Sequence, residues 1–141
     1  MVVALGLLAR RSRSAKEVET SLGARGFSRA ETRRVLGRLK QLGYIDDRKF
    51  AADWSERLQE RGFGALRIRL ELQQHGVEDG LAERVIPAAA EECVAARKIL
   101  QIRFGGEPIC EPALKARAAR FLVGRGFTPE VVESLLDPCD V

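Results

Sequence analysis

Apolar residues recur along this chain at three- and four-residue steps, the spacing that gathers side chains on one face of an α-helix. Val18 and Leu22 stand four apart, Phe50, Trp54 and Leu58 follow at i, i+4 and i+8, and Cys93, Ala96, Leu100 and Phe104 form a third line. No segment alternates apolar and polar positions over four or more residues with a β-branched bias, so the pattern predicts an all-α fold. Polar punctuation fixes where the helices begin. Ser14 with Glu17 and Ser28 with Glu31 both fit the S-x-x-E capping box, in which the two side chains satisfy unpaired N–H groups of the first turn. Gly26 falls where a helix end needs left-handed backbone, and Phe27 is placed to plug the turn. Asp46 or Asp47 can cap a helix running to about Arg61, a further helix is expected from about Ala88 to Phe104, and residues 3–10 leave room for only a short one.

The same punctuation returns every fifty residues. Leu22, Arg25, Gly26, Phe27, Ser28, Val35 and Leu36 reappear as Leu72, His75, Gly76, Val77, Glu78, Val85 and Ile86. They reappear again as Leu122, Arg125, Gly126, Phe127, Thr128, Leu135 and Leu136, with Pro129 at a first helical position where its missing N–H costs nothing. Three copies in one register predict three tandem three-helix repeats, at residues 1–45, 46–87 and 88–141. Modules of this size are marginal alone, so they are expected to pack end to end into an elongated or curved body.

Composition narrows the class. The 141 residues are 45% hydrophobic and 31% charged with five prolines, which excludes collagen-like, mucin-like and disordered chains. The net charge of +4 is unevenly placed: residues 1–45 carry +7 and the remainder −3, and 19 of the 24 basic residues are arginine. Arginine forks suit phosphate and carboxylate partners. Three cysteines, Cys93, Cys110 and Cys139, lack both even number and CxxC spacing, which points to reduced thiols in a cytoplasmic protein rather than to disulfides or zinc. No apolar run reaches the roughly 18 residues of a membrane span, so neither export nor insertion is expected.

Catalytic material is sparse. The one histidine, His75, occupies the slot held by Arg25 and Arg125 and reads as a helix C-terminal group. Gly62-Phe63-Gly64 and Gly105-Gly106 read as turns, no phosphate-cradling P-loop occurs, and Asp46-Asp47 reads as a helix cap. No enzyme activity, metal or cofactor is expected. Recognition is better supplied. Arg29, Arg33, Arg34, Arg38 and Lys40 lie mostly away from the apolar line Val35, Leu36, Leu39 and Leu42, giving a basic outer face. Helix, turn and basic helix followed by Leu42-Gly43-Tyr44-Ile45 also match the start of a winged-helix DNA reader, which makes repeat 1 as a DNA-binding module the alternative reading. Against it, the segment after Ile45 is Asp-rich and helical in pattern.

The ordered set of motifs is more specific. Leu7-Leu8-Ala9-Arg10-Arg11-Ser12-Arg13-Ser14, Arg-Gly-Phe-Ser at 25–28, Leu42-Gly43-Tyr44-Ile45-Asp46-Asp47-Arg48-Lys49-Phe50-Ala51, Gly64-Ala65-Leu66-Arg67-Ile68-Arg69-Leu70-Glu71-Leu72 and Arg120-Phe121-Leu122-Val123-Gly124-Arg125-Gly126-Phe127 together resemble the RecX family over nearly the whole chain. The family carries more sequence ahead of its opening helix, and here Pro87 interrupts the second junction. The resemblance implies an elongated, cytoplasmic, monomeric regulator of DNA repair and recombination and of the SOS response. It would bind the RecA recombinase filament in its groove and mainly inhibit ATP hydrolysis, strand exchange and coprotease activity, with weak phosphate contacts to DNA. It further implies that Gly43, Tyr44 and Asp46 serve the fold and that Arg67 and Arg69 contact the partner.

Overall fold

The computed structural model describes residues 1–106 and 108–136; Cys139 lies outside them. The described residues form nine α-helices and no strand. They are α1 (Val2–Arg10), α2 (Ala15–Ala24), α3 (Arg29–Gln41), α4 (Asp47–Glu60), α5 (Ala65–Gln74), α6 (Asp79–Val85), α7 (Ala89–Phe104), α8 (Pro112–Gly124) and α9 (Pro129–Leu136). Where a winged-helix protein would place its wing, this chain starts α4.

Local chemistry explains the boundaries. Both capping boxes form: the Ser14 hydroxyl accepts from the Glu17 N–H at 3.2 Å and the Ser28 hydroxyl from the Glu31 N–H at 3.1 Å, while each glutamate accepts from the serine's own N–H. Asp46 caps α4, accepting from the N–H groups of Arg48 and Lys49, and Asp47 instead reaches the Ala15 N–H at the start of α2. At the end of α2, Gly26 adopts φ +90° and the Phe27 N–H returns to the Leu22 carbonyl at 3.2 Å. Gly126 and Phe127 repeat this at the end of α8, returning to Leu122.

Packing divides the described chain into two compact units. The first comprises Met1–Trp54 and Glu71–Val85, the second Ser55–Leu70 and residues 86–136, so α4 and α5 contribute residues to each. In the first unit, α1, α2 and α3 close over Ala4, Val18, Leu22, Leu39 and Ile45. Two expectations shift here. Leu42 and Tyr44 are half exposed rather than packed, because α3 ends at Gln41 and the Gly43 turn, at φ +77°, carries the chain past its buried face; Ile45 is the residue that returns to the core. Phe27 is 36% exposed and closes its turn only in part, whereas its counterpart Phe127 is 1% exposed.

The core of the second unit is built from α7, α8 and α9 around Ala96, Leu100, Ala118, Leu122, Phe127 and Val131. Cys93 packs at its edge, as its place in the apolar line predicts. Glu92 is also buried there, and its carboxylate accepts the Thr128 N–H at 2.8 Å. In α3 the equivalent N–H is satisfied by Glu31, three residues past the cap. The corresponding position of α9 is Val131, so α7 supplies the missing carboxylate.

Candidate functional site

The basic face of α3 is real but divided. Thr32 and Leu39 are buried and Val35 and Leu36 half-buried, which turns Arg29, Arg33, Arg34, Arg38 and Lys40 to solvent. Arg29, Arg33 and Lys40 follow at four and seven residues and line a groove of about 610 Å³ with Glu19 of α2 and the exposed Phe27. Gly23 of α2 and Gly37 of α3 also line it, and their lack of side chains keeps it wide. Arg34 and Arg38 lie outside it, exposed on the same helix. Three exposed cations on one helix beside an apolar ring can meet phosphate or carboxylate oxygens with little rearrangement of the backbone.

The Arg67 and Arg69 of α5 have different surroundings. Arg69 is half-buried and engaged within the fold. The Arg67 guanidinium lies 5.0 Å from the centre of the Phe63 ring, and two arginines absent from the sequence expectation join it: Arg61 at 5.3 Å and Arg125 at 5.0 Å. Arg125 also lies over Phe121, as does Arg103, at 5.5 and 5.8 Å. The backbone that assembles this group is a pair of abutting turns. The Gly64 and Leu66 N–H groups, at the start of α5, donate to the carbonyls of Arg125 and Gly126 at 2.8 and 2.9 Å, giving that helix end acceptors it lacks locally. A Cβ on Gly64 would lie 2.6 Å from the Phe127 backbone, and one on Gly126 2.6 Å from the Arg67 nitrogen, so both close approaches require glycine. The signal for the missed arginines was present: Arg61-Gly62-Phe63 is a third Arg-Gly-Phe triplet, displaced from the fifty-residue register of the other two.

His75 ends α5 as its slot predicts, but its surroundings were not legible. Its Nδ1 stands 3.1 Å from Glu17, its carbonyl accepts the Ser14 hydroxyl, and its ring packs edge-on to Trp54 and Phe50. Among the described residues no group of three or more metal-ligating side chains comes together, and no helix is long and apolar enough to cross a membrane.

Fold and surfaces together define a helical protein of repeated three-helix modules whose distinctive exposed chemistry is arginine. Comparison with known proteins makes this specific. Residues 1–39 match the model of the first three-helix domain of RecX and residues 46–86 that of the second. The chain is 36% identical to the regulatory protein RecX of Halorhodospira halophila, over 97% of this chain and 86% of that protein. It is 38% identical to that of Thermus thermophilus, over 90% and 82%. The crystal structure of RecX from Lactobacillus salivarius superimposes with a TM-score of 0.84 over 98% of this chain and 92% of that one, at 19% identity. A second RecX crystal structure gives 0.78 over 94% and 69%, at 21% identity. The chain belongs to the RecX family of regulatory proteins.

Proposed function

We propose that this protein binds the RecA recombinase filament and restrains it, mainly by inhibiting ATP hydrolysis, strand exchange and coprotease activity, without chemistry of its own. The observation that carries the reading is the exposed cationic face of α3, fixed by a capping box at one end and by its buried side on the other, in a chain of the RecX family. A filament coated with protein and threaded with phosphates offers such a face anionic partners along its groove. A body seated there favours the filament state it fits and obstructs substrates that must enter the same space. Residues 1–45, 46–87 and 88–141 are the repeats that would meet successive parts of that surface, as a monomer in the cytoplasm.

The test is a titration into RecA assembled on single-stranded DNA. Saturable inhibition of ATP hydrolysis and of strand exchange is expected, at concentrations where binding to DNA alone is weak and falls with salt. Unchanged hydrolysis and exchange across the titration overturns the reading. A preference for one duplex sequence over random DNA by about 4 kcal/mol or more, independent of RecA, would instead identify a sequence-specific DNA reader.

A further inference from the structure

Residues 46–141 carry more acidic than basic side chains, yet one groove in the second unit gathers Arg61, Lys98, Arg103 and Arg125 against a single acid, Glu60. Its volume is about 740 Å³. Four cations drawn from α7 and from the turns after α4 and α8 thus converge within a stretch whose net charge is negative. The three arginines are also held in place. Arg125 donates from Nη1 to the Arg61 carbonyl at 3.1 Å and rests on two rings, while Arg61 and Arg103 each rest on one. A guanidinium already stacked on an aromatic face loses little freedom on meeting an anion and is weakly hydrated, so its binding geometry is prepared.

The rest of the lining decides what kind of anion fits. The lining also has an aliphatic part: Ile99 is half-buried and Ile102 is 78% exposed, on α7 with the two α7 cations. Aliphatic surface has no counterpart in a sugar-phosphate backbone. The aromatic ring in the lining, Phe121, is a poor platform for nucleobases, because it already carries two guanidinium groups within 5.8 Å of its centre. We propose that this groove binds an acidic peptide segment that also bears apolar side chains, its carboxylates received by Arg61, Lys98, Arg103 and Arg125 and its apolar groups seated on Ile99 and Ile102. The site shares no residue with the α3 face and does not depend on the RecA reading.

Fluorescence anisotropy of the full-length chain with a labelled dodecapeptide of alternating Glu and Leu tests this directly. Saturable binding is expected. It should weaken by about tenfold when Gln replaces Glu and by several-fold, roughly 5, when Ser replaces Leu. The double variant Lys98→Glu with Arg103→Glu, at two exposed positions of α7, should keep its helical circular dichroism and bind about tenfold more weakly, whereas Arg34→Glu with Arg38→Glu should bind within about twofold of the parent. No saturable binding, equal binding of the Gln peptide, or an unaffected α7 variant overturns the proposal. So does tighter binding of a dodecathymidylate that only the α7 variant loses, which would make the groove a nucleic-acid site.

Discussion

Glu17 joins two basic side chains from different parts of the chain: Arg11 donates to one carboxylate oxygen at 2.7 Å and His75 approaches the other. Burial alone would raise its carboxyl. The Arg11 hydrogen bond, the Ser14 N–H and the positive charges of Arg11 and His75 outweigh it and hold the group below its ordinary value of 4.5. A carboxyl lowered by folding contributes its full stability above the unfolded-state pKa and loses it as pH falls through the folded one. Glu17→Gln should therefore be less stable than the parent near neutrality, and the gap should close as pH falls below about 4.5. Urea unfolding read through Trp54 measures it, since this is the only tryptophan in the chain and it packs against His75. The sequence made the Ser14–Glu17 cap legible because the partners are three residues apart. It could not disclose that His75, 58 positions after Glu17, completes the group, because nothing local to His75 encodes that approach.

At the scale of elements, α3 shows the same boundary between the legible and the hidden. Its period placed all five cations outside, but which of them share a groove depends on where α2 lies, and only Arg29, Arg33 and Lys40 do. Replacing Arg29, Arg33 and Arg34 by Ala should weaken association with DNA-bearing filaments and reduce the slope of log affinity against log salt by about 2, with helical circular dichroism unchanged. An unaltered slope would remove this helix from the interface. The turn pair that starts α5 makes a second prediction. Gly64→Ala forces a Cβ onto the Phe127 backbone and should destabilise the second unit by about 1–3 kcal/mol in urea unfolding. In the sequence Gly64 reads as an ordinary turn residue, since its need for glycine comes from a segment more than sixty positions away.

For the molecule as a whole, the fifty-residue echo made the all-helical architecture readable, because each copy carries its own caps, turn glycine and apolar stripe. The boundaries of packing were not readable. Contacts group the second part of α5 and α6 with α1–α3, and the first part of α5 with α7–α9, cutting through helices that the periodicity treats as uninterrupted. Charge behaves likewise. The +7 of the first 45 residues was visible by counting, whereas the cationic groove of the second unit was masked by an acidic average and emerged only when Arg61, Lys98, Arg103 and Arg125 were brought together by the fold.

The triplet Arg-Gly-Phe occurs three times and closes a helix each time, yet its phenylalanine has three fates: exposed at Phe27, a seat for guanidinium groups at Phe63, and sealed in the core at Phe127. Glycine and the returning N–H close the turn in every copy, so the aromatic ring is not needed for the closure itself and its packing differs from copy to copy. Phe127→Ala should cost about 3–5 kcal/mol of stability, whereas Phe27→Ala, at a site left 36% exposed, should cost less, about 1–2 kcal/mol, both read by thermal or urea unfolding. The recurring turn thus sets three aromatic side chains at fixed positions, of which Phe127 is committed to the core while Phe27 and Phe63 remain open to recognition.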